Sequence, residues 1–190
     1  AAPMFDDGLH NDGVAGDGIY GATLPAQANR TIVEFYVEAI GSGNRTNTCP
    51  APAIQQNGLL AQTANALYQV DDNIAPASFS TANQPMYRLI MTATERNYYS
   101  TLSGNSDAQM NGTFISSDAD GIKVRYNVGI RTRGAGSRGR SPHNLRVNIP
   151  TDRRWNGLAE INFNTQFIHA QLAGSALAAK AGLPAAETRA

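Results

Sequence analysis

Two stretches of this 190-residue chain carry side chains that could do chemistry. The first runs from Gly129 to Pro150. Lys123, Arg125, Arg131, Arg133, Arg138, Arg140, Arg146, Arg153 and Arg154 fall in or beside it, with Asp152 as the nearby acid. The net charge of the chain is zero, so this is a local anion-binding field rather than a generally basic protein. Between its strand-like runs lie Gly134, Ala135, Gly136, Ser137, Arg138, Gly139 and Arg140, small enough for backbone N–H groups to approach a ligand. Arg131, Arg133, Gly134, Gly136, Ser137 and Arg138 are therefore candidate phosphate or nucleotide ligands. The alternatives are a solvated face, or arginines that partner acids elsewhere in the fold. Nucleic acid is disfavoured, because stacking aromatics are sparse around residues 129–154.

The second stretch, DDGLHNDGVAGDGIYGA, sets Asp6, Asp7, Asp12 and Asp17 among Gly8, Gly13, Gly16 and Gly18. Its oxygens suit a hard cation such as Ca²⁺, although the EF-hand series and its closing glutamate are absent. The alternative is a run of tight turns on a solvated edge, with His10 as a turn residue.

The elements that must position these groups are mostly strands. Val128, Ile130 and Thr132 alternate with Gly129, Arg131 and Arg133, and Leu145, Val147 and Ile149 alternate with Arg146 and Asn148, predicting a hairpin with a glycine-rich, arginine-bearing tip. Strands are also expected over Thr31–Ala39 and Tyr87–Ala93, and over Thr113–Ile115 and Ile122–Tyr126, the last two joined by the turn Asp118–Gly121. Helices are expected over Glu95–Leu102, capped by Thr94, and over Phe167–Ala181, with apolar Ile168, Leu172, Ala176 and Ala179, Lys180 in the last turn and Gly182 as the stop. Asn57–Asp72 suits a short helix or a strand, and Pro76 and Pro85 punctuate the polar stretch after it. The fold class is α+β: β-rich, with antiparallel sheets and a few short helices. Residues 1–48 and 86–190 form two regions, with 49–85 as the linker.

From Val128 to Arg138, then Pro142 and the strand Leu145–Ile149, the chain resembles the RxRGxSSR block of the spore-coat CotH kinase family. Trp155-Asn156-Gly157-Leu158, Ile161-Asn162-Phe163-Asn164 and Ala181-Gly182-Leu183-Pro184 follow in the family's order. The resemblance spans roughly residues 86–190 and implies the amino-terminal lobe of an atypical kinase-like fold. Its glycine-rich hairpin would cover nucleotide phosphates. Where the family has a phosphate-binding lysine after the proline, this chain has His143 and Asn144, which makes His143 a further candidate ligand. The family's metal-binding and catalytic aspartates lie beyond the point resembling Ala190. ATP and Mg²⁺ are thus expected only in a full-length parent, and this chain alone is expected to be inactive. The series DDGxxxDxxxGDGIYGATLPA followed by VEFYVEA resembles the closing part of immunoglobulin-like β modules of secreted bacterial proteins, of which about seven strands would make a whole.

Composition narrows the classes. A hydrophobic content of 42% supports a core, and charged residues make up only 16%. The neutral polar surface this leaves fits a secreted or cell-surface protein. Eighteen consecutive apolar residues occur nowhere, which excludes a helical membrane span. Cys49 stands alone, removing disulfide frameworks and cysteine-based zinc sites. The expected function is that of a fragment of an exported CotH-like kinase with a nucleotide or a surface protein as partner. The alternative is a secreted structural or adhesive module that self-associates through strand edges. An anion held by the arginine field should release steeply as salt is raised; isotherms across a salt series check this, and a merely solvated face shows no such partner.

Overall fold

The computed structural model describes residues 1–72, 85–104 and 106–188. Pro76 lies outside them. In chain order the first strands are β1 (Ile32–Phe35), β2 (Val37–Ile40), β3 (Thr46–Cys49), β4 (Ala53–Ile54), β5 (Leu60–Ala61) and β6 (Ala66–Gln69). Then come β7 (Met86–Ile90), α1 (Ala93–Thr101), β8 (Met110–Asp118), β9 (Gly121–Thr132), β10 (Leu145–Asn148), β11 (Glu160–Phe163) and α2 (Ile168–Lys180). A β-rich fold with antiparallel sheets and two short helices is what the alternation in the sequence implies.

Three expectations change in detail. The strand expected over Thr31–Ala39 is broken at Tyr36, because β1 pairs with β6 whereas β2 pairs with β3. Residues 49–85, read as a linker, supply β4, β5 and β6, and Asn57–Asp72 takes the strand option. Helix α1 begins at Ala93 and is capped by Thr92, whose hydroxyl accepts from Glu95 N at 3.1 Å. Thr92 has the extended backbone that an N-cap needs, while Thr94 already lies inside the helix.

The late strands form one five-stranded sheet in the order β11-β10-β9-β8-β7. Phe114, Val128, Ile130, Val147, Ile149 and Trp155 are buried on one face, with Tyr87, Leu89, Met91, Ile161 and Phe163 packed against them. The aromatics interlock: Phe114 meets Trp155 edge-on at 5.6 Å, and Tyr87 meets Phe163 at 5.4 Å. Trp155 Nε1 donates to Ser116 Oγ at 2.7 Å, which satisfies its buried N–H.

A bulge makes this face possible. Gly112 pairs with Val128 but Phe114 with Arg125, so β9 spends one residue more than β8 across this step. Asn127 lies there at φ 53°, in the left-handed region. The extra residue reverses the facing of everything after it: Tyr126 meets Phe35 of β1 on one side at 5.6 Å, and Val128 and Ile130 enter the core on the other. Gly112 is required beside the bulge, since a Cβ there would sit 2.5 Å from Ile130 Cδ1 and 2.8 Å from the Ile90 carbonyl oxygen.

The opposite face is covered in part by β6. Thr113 Oγ1 donates to the Leu67 carbonyl at 2.7 Å, and Arg88 Nη2 donates to Gln69 Oε1 at 2.8 Å and Asp71 Oδ2 at 2.7 Å. Helix α2 buries no residue, and Ile168, Ala176 and Ala179 of its expected apolar stripe are exposed, leaving Leu172 half-buried. Its stop is as expected: Gly182 at φ 72° donates to Ala179 O, and Leu183 N to Ala178 O.

Phe114→Ala empties the centre of the aromatic cluster and should cost about 3–5 kcal/mol in chemical denaturation followed by Trp155 fluorescence. Ile122→Ala, at an exposed position, should shift stability by less than about 0.5 kcal/mol.

Candidate functional site

The connection between β9 and β10, residues 133–144, is closed at its neck by Arg133 N donating to Asn144 O at 2.9 Å. Gly134 sits at φ 106°, and a Cβ there would lie 2.2 Å from Ser137 Oγ, so this position demands glycine. Buried Asn144 rivets the loop: its Nδ2 donates to Ser137 Oγ at 3.2 Å, and its Oδ1 accepts from Thr165 N at 2.8 Å. Within that frame the consecutive N–H groups of Ala135, Gly136 and Ser137 meet no acceptor among the described residues.

The arginines have defined places. Arg138 folds back, donating from Nε to Gly134 O at 2.6 Å and from Nη2 to Asp107 Oδ1 at 2.6 Å. Arg131 Nη1 donates to the same Asp107 oxygen at 2.8 Å. The hydrogen bond and charge of Arg138, followed by the charge of Arg131, hold the Asp107 carboxyl below the usual carboxylate range. Arg133 Nη1 donates to Asn164 Oδ1 at 2.7 Å, an amide that leaves its charge unmatched. His143 is exposed, with Nδ1 3.0 Å from Arg138 O and its ring edge-on to Tyr99. Tyr99 and Thr132 share a hydrogen bond of 2.7 Å, which ties α1 to the end of β9.

All the candidate phosphate ligands, Arg131, Arg133, Gly134, Gly136, Ser137, Arg138 and His143, therefore belong to one loop and its neck. Arg140 lies in the same loop, whereas Lys123, Arg125 and Arg146 are engaged outside it. Arg146 lies directly across from Arg131, and the repulsion is offset because Arg146 pairs with Glu160. Arg125 donates to the Arg154 carbonyl at 2.8 Å and Lys123 to Asn156 Oδ1 at 2.8 Å, forming a second group around residues 154–156.

The acidic loop is organised around backbone amides. Asp12, fully buried, accepts on Oδ2 from Asp7 N and Gly8 N and on Oδ1 from His10 N. Asp6 accepts from Gly16 N, Asp17 N and Gly18 N, and Asp17 accepts from Val14 N and Ile19 N. Asp7 Oδ1 accepts from Leu9 N and lies 2.9 Å from His10 Nδ1. Among the described residues no three His, Cys, Asp or Glu side chains converge to hold a metal ion. The loop is closed by the bridge between Phe5 and Gly21, against which His10 stacks. Burial opposes ionisation of Asp12, but the N–H groups of Gly8, His10 and Asp7 outweigh it and lower its pKa to about 2.

This chain of carboxylate-capped turns, followed by β1 and β2, coincides with one family match. Residues 1–46 match the conditioned medium factor second Ig-like domain. The Ig-like segment thus includes the acidic loop and both strands but ends ahead of β3's last residues. No CotH kinase model matches residues 86–190. No curated protein and no solved structure matches the chain.

Asp107, Asn144 and Asn164 are the site residues that the sequence does not single out. Asp107 and Asn164 are isolated polar residues that only the fold brings to the loop, whereas Asn144 ends the loop and its bracing role shows only in its contacts. In the Ig-like segment, Asp12 has a folded-state pKa of about 2, below its ordinary value of 3.8. Its stabilising contribution is therefore complete above pH 3.8 and fades as pH falls towards 2. Amide chemical shifts of Asp7, Gly8 and His10 should move together as pH falls through about 2, and Asp12→Asn should abolish the transition.

Proposed function

We propose that residues 86–190 are the amino-terminal lobe of an exported CotH-like atypical kinase, and that the 133–144 loop covers nucleotide phosphates. The observation that carries this reading is the row of open amides at Ala135, Gly136 and Ser137, flanked by Arg131, Arg133 and Arg138. Phosphoryl oxygens need several N–H donors fixed in advance, and a small-residue loop braced by Asn144 supplies them without a side chain in the way. Guanidinium groups add planar, permanently charged donors suited to the same oxygens. The Ig-like segment ahead of this lobe suits a protein working outside the cell. On this reading the lobe's part is to bind the phosphates of Mg-ATP, and a second lobe supplies the acids that hold the metal and act on the acceptor.

A structural reading has its own support. The outer edges of β7 and β11 have no partner strand among the described residues, and such edges invite assembly. Calorimetry with Mg-ATP distinguishes the two: binding should occur and weaken about tenfold or more in Arg133→Ala. Absence of binding by the complete natural protein, together with concentration-dependent sedimentation in the absence of nucleotide, would replace the kinase reading with the structural one.

A further inference from the structure

The inference rests on the phosphate-loop reading above and concerns what that loop selects. We infer that Asp107 sets its charge specificity: the Asp107 carboxylate occupies the seat of a ligand's phosphoryl group, so that a multiply charged phosphate chain displaces it and a monoanion does not. Both guanidinium groups aim at one oxygen, Oδ1, at 2.6 and 2.8 Å, as they would at an oxyanion. The hosts are held and the guest is loose. The Arg131 and Arg138 side chains are 18% and 16% exposed, and Arg138 is also fixed to the carbonyls of Gly134 and Ser106, whereas the Asp107 side chain is 69% exposed. Among the described residues these arginines are its hydrogen-bond donors.

Charge decides the exchange. Arg131, Arg133 and Arg138 set three positive charges around the neck, and Asp107 cancels one of them. A monoanion that displaces Asp107 merely replaces the charge lost. A pyrophosphate group brings more charge than it removes and can also reach Arg133 and the open amides of Ala135, Gly136 and Ser137. An exposed ion pair is weak and screened by salt, so the exchange has a low barrier in free energy. Asp107 belongs to the connection between α1 and β8, so its release also unties that connection from the loop.

The test is titration of the whole chain and its Asp107→Asn variant with acetate, inorganic phosphate and pyrophosphate. The wild type should bind pyrophosphate and not acetate. The variant, freed of its internal competitor, should bind pyrophosphate about tenfold more tightly and bind inorganic phosphate measurably better. Equal or weaker pyrophosphate binding by a variant of unchanged melting temperature would overturn the inference and leave the phosphate-loop reading standing. Should the variant not fold, the wild type still decides: the Asp107 carboxyl, followed by NMR, should return towards its ordinary value of 3.8 at saturating pyrophosphate, and no return overturns the inference. Failure of the wild type to bind pyrophosphate at all would sink the phosphate-loop reading itself, and this inference with it.

Discussion

The pairing of β8 with β9, interrupted once at Asn127, is the constraint from which the late half of the chain follows. These are the longest strands, and the step between Gly112 and Phe114 decides which side chains meet. On one side of the step, Tyr126 turns to β1; on the other, Val128 and Ile130 join Phe114 and Trp155. The same step fixes the other face. Arg131 points away from the core because Ile130 points into it, and the loop after Thr132 leaves the sheet with its arginines already gathered on the polar side. Had the strands paired without the extra residue, the core and the charged face would have exchanged places.

The two loops that carry charge solve opposite problems. In the Ig-like segment, carboxylates fold inward onto backbone amides, so that a glycine-rich chain without helix or long strand acquires a fixed shape. Around residues 133–144 the shape comes mainly from neutral Asn144, Ser137 and Gly134, with Arg138 bracing the Gly134 carbonyl, which leaves amides open and a net positive charge at the neck. A loop shaped by its charges has little left with which to grip a ligand. One shaped by neutral groups keeps its charges for that purpose.

Much of this was legible in the sequence. The hairpin tip, the turn at Asp118–Gly121 and the Gly182 helix stop follow from period and turn chemistry, which act over a few residues. The bulge was not, because Ile122, Val124, Tyr126, Val128, Ile130 and Thr132 keep one unbroken alternation; only the mismatch with β8 shows that the first and second halves face opposite ways. Nor was the role of α2, where apolar spacing suggested a buried stripe. Alanine-rich turns satisfy that spacing whether or not anything packs on them, and of Ile168, Leu172, Ala176 and Ala179 only Leu172 turns partly inward. Asp107 and Asn144 were hidden for a different reason: a partner more than twenty residues away leaves no local signature.

The seam between the two halves has a consequence for how the chain can be divided. Similarity ends at residue 46, but the hydrogen bonds do not: every residue of β1 finds its partner in β6, and β6 in turn is held by Thr113 and Arg88 of the late sheet. A stretch that matches a family model as one piece is therefore completed by a stretch outside it. Anyone grafting this opening segment onto another protein must carry residues 66–69 with it, or supply a strand to stand in for them. In this molecule the boundary drawn by similarity and the boundary drawn by hydrogen bonding fall in different places.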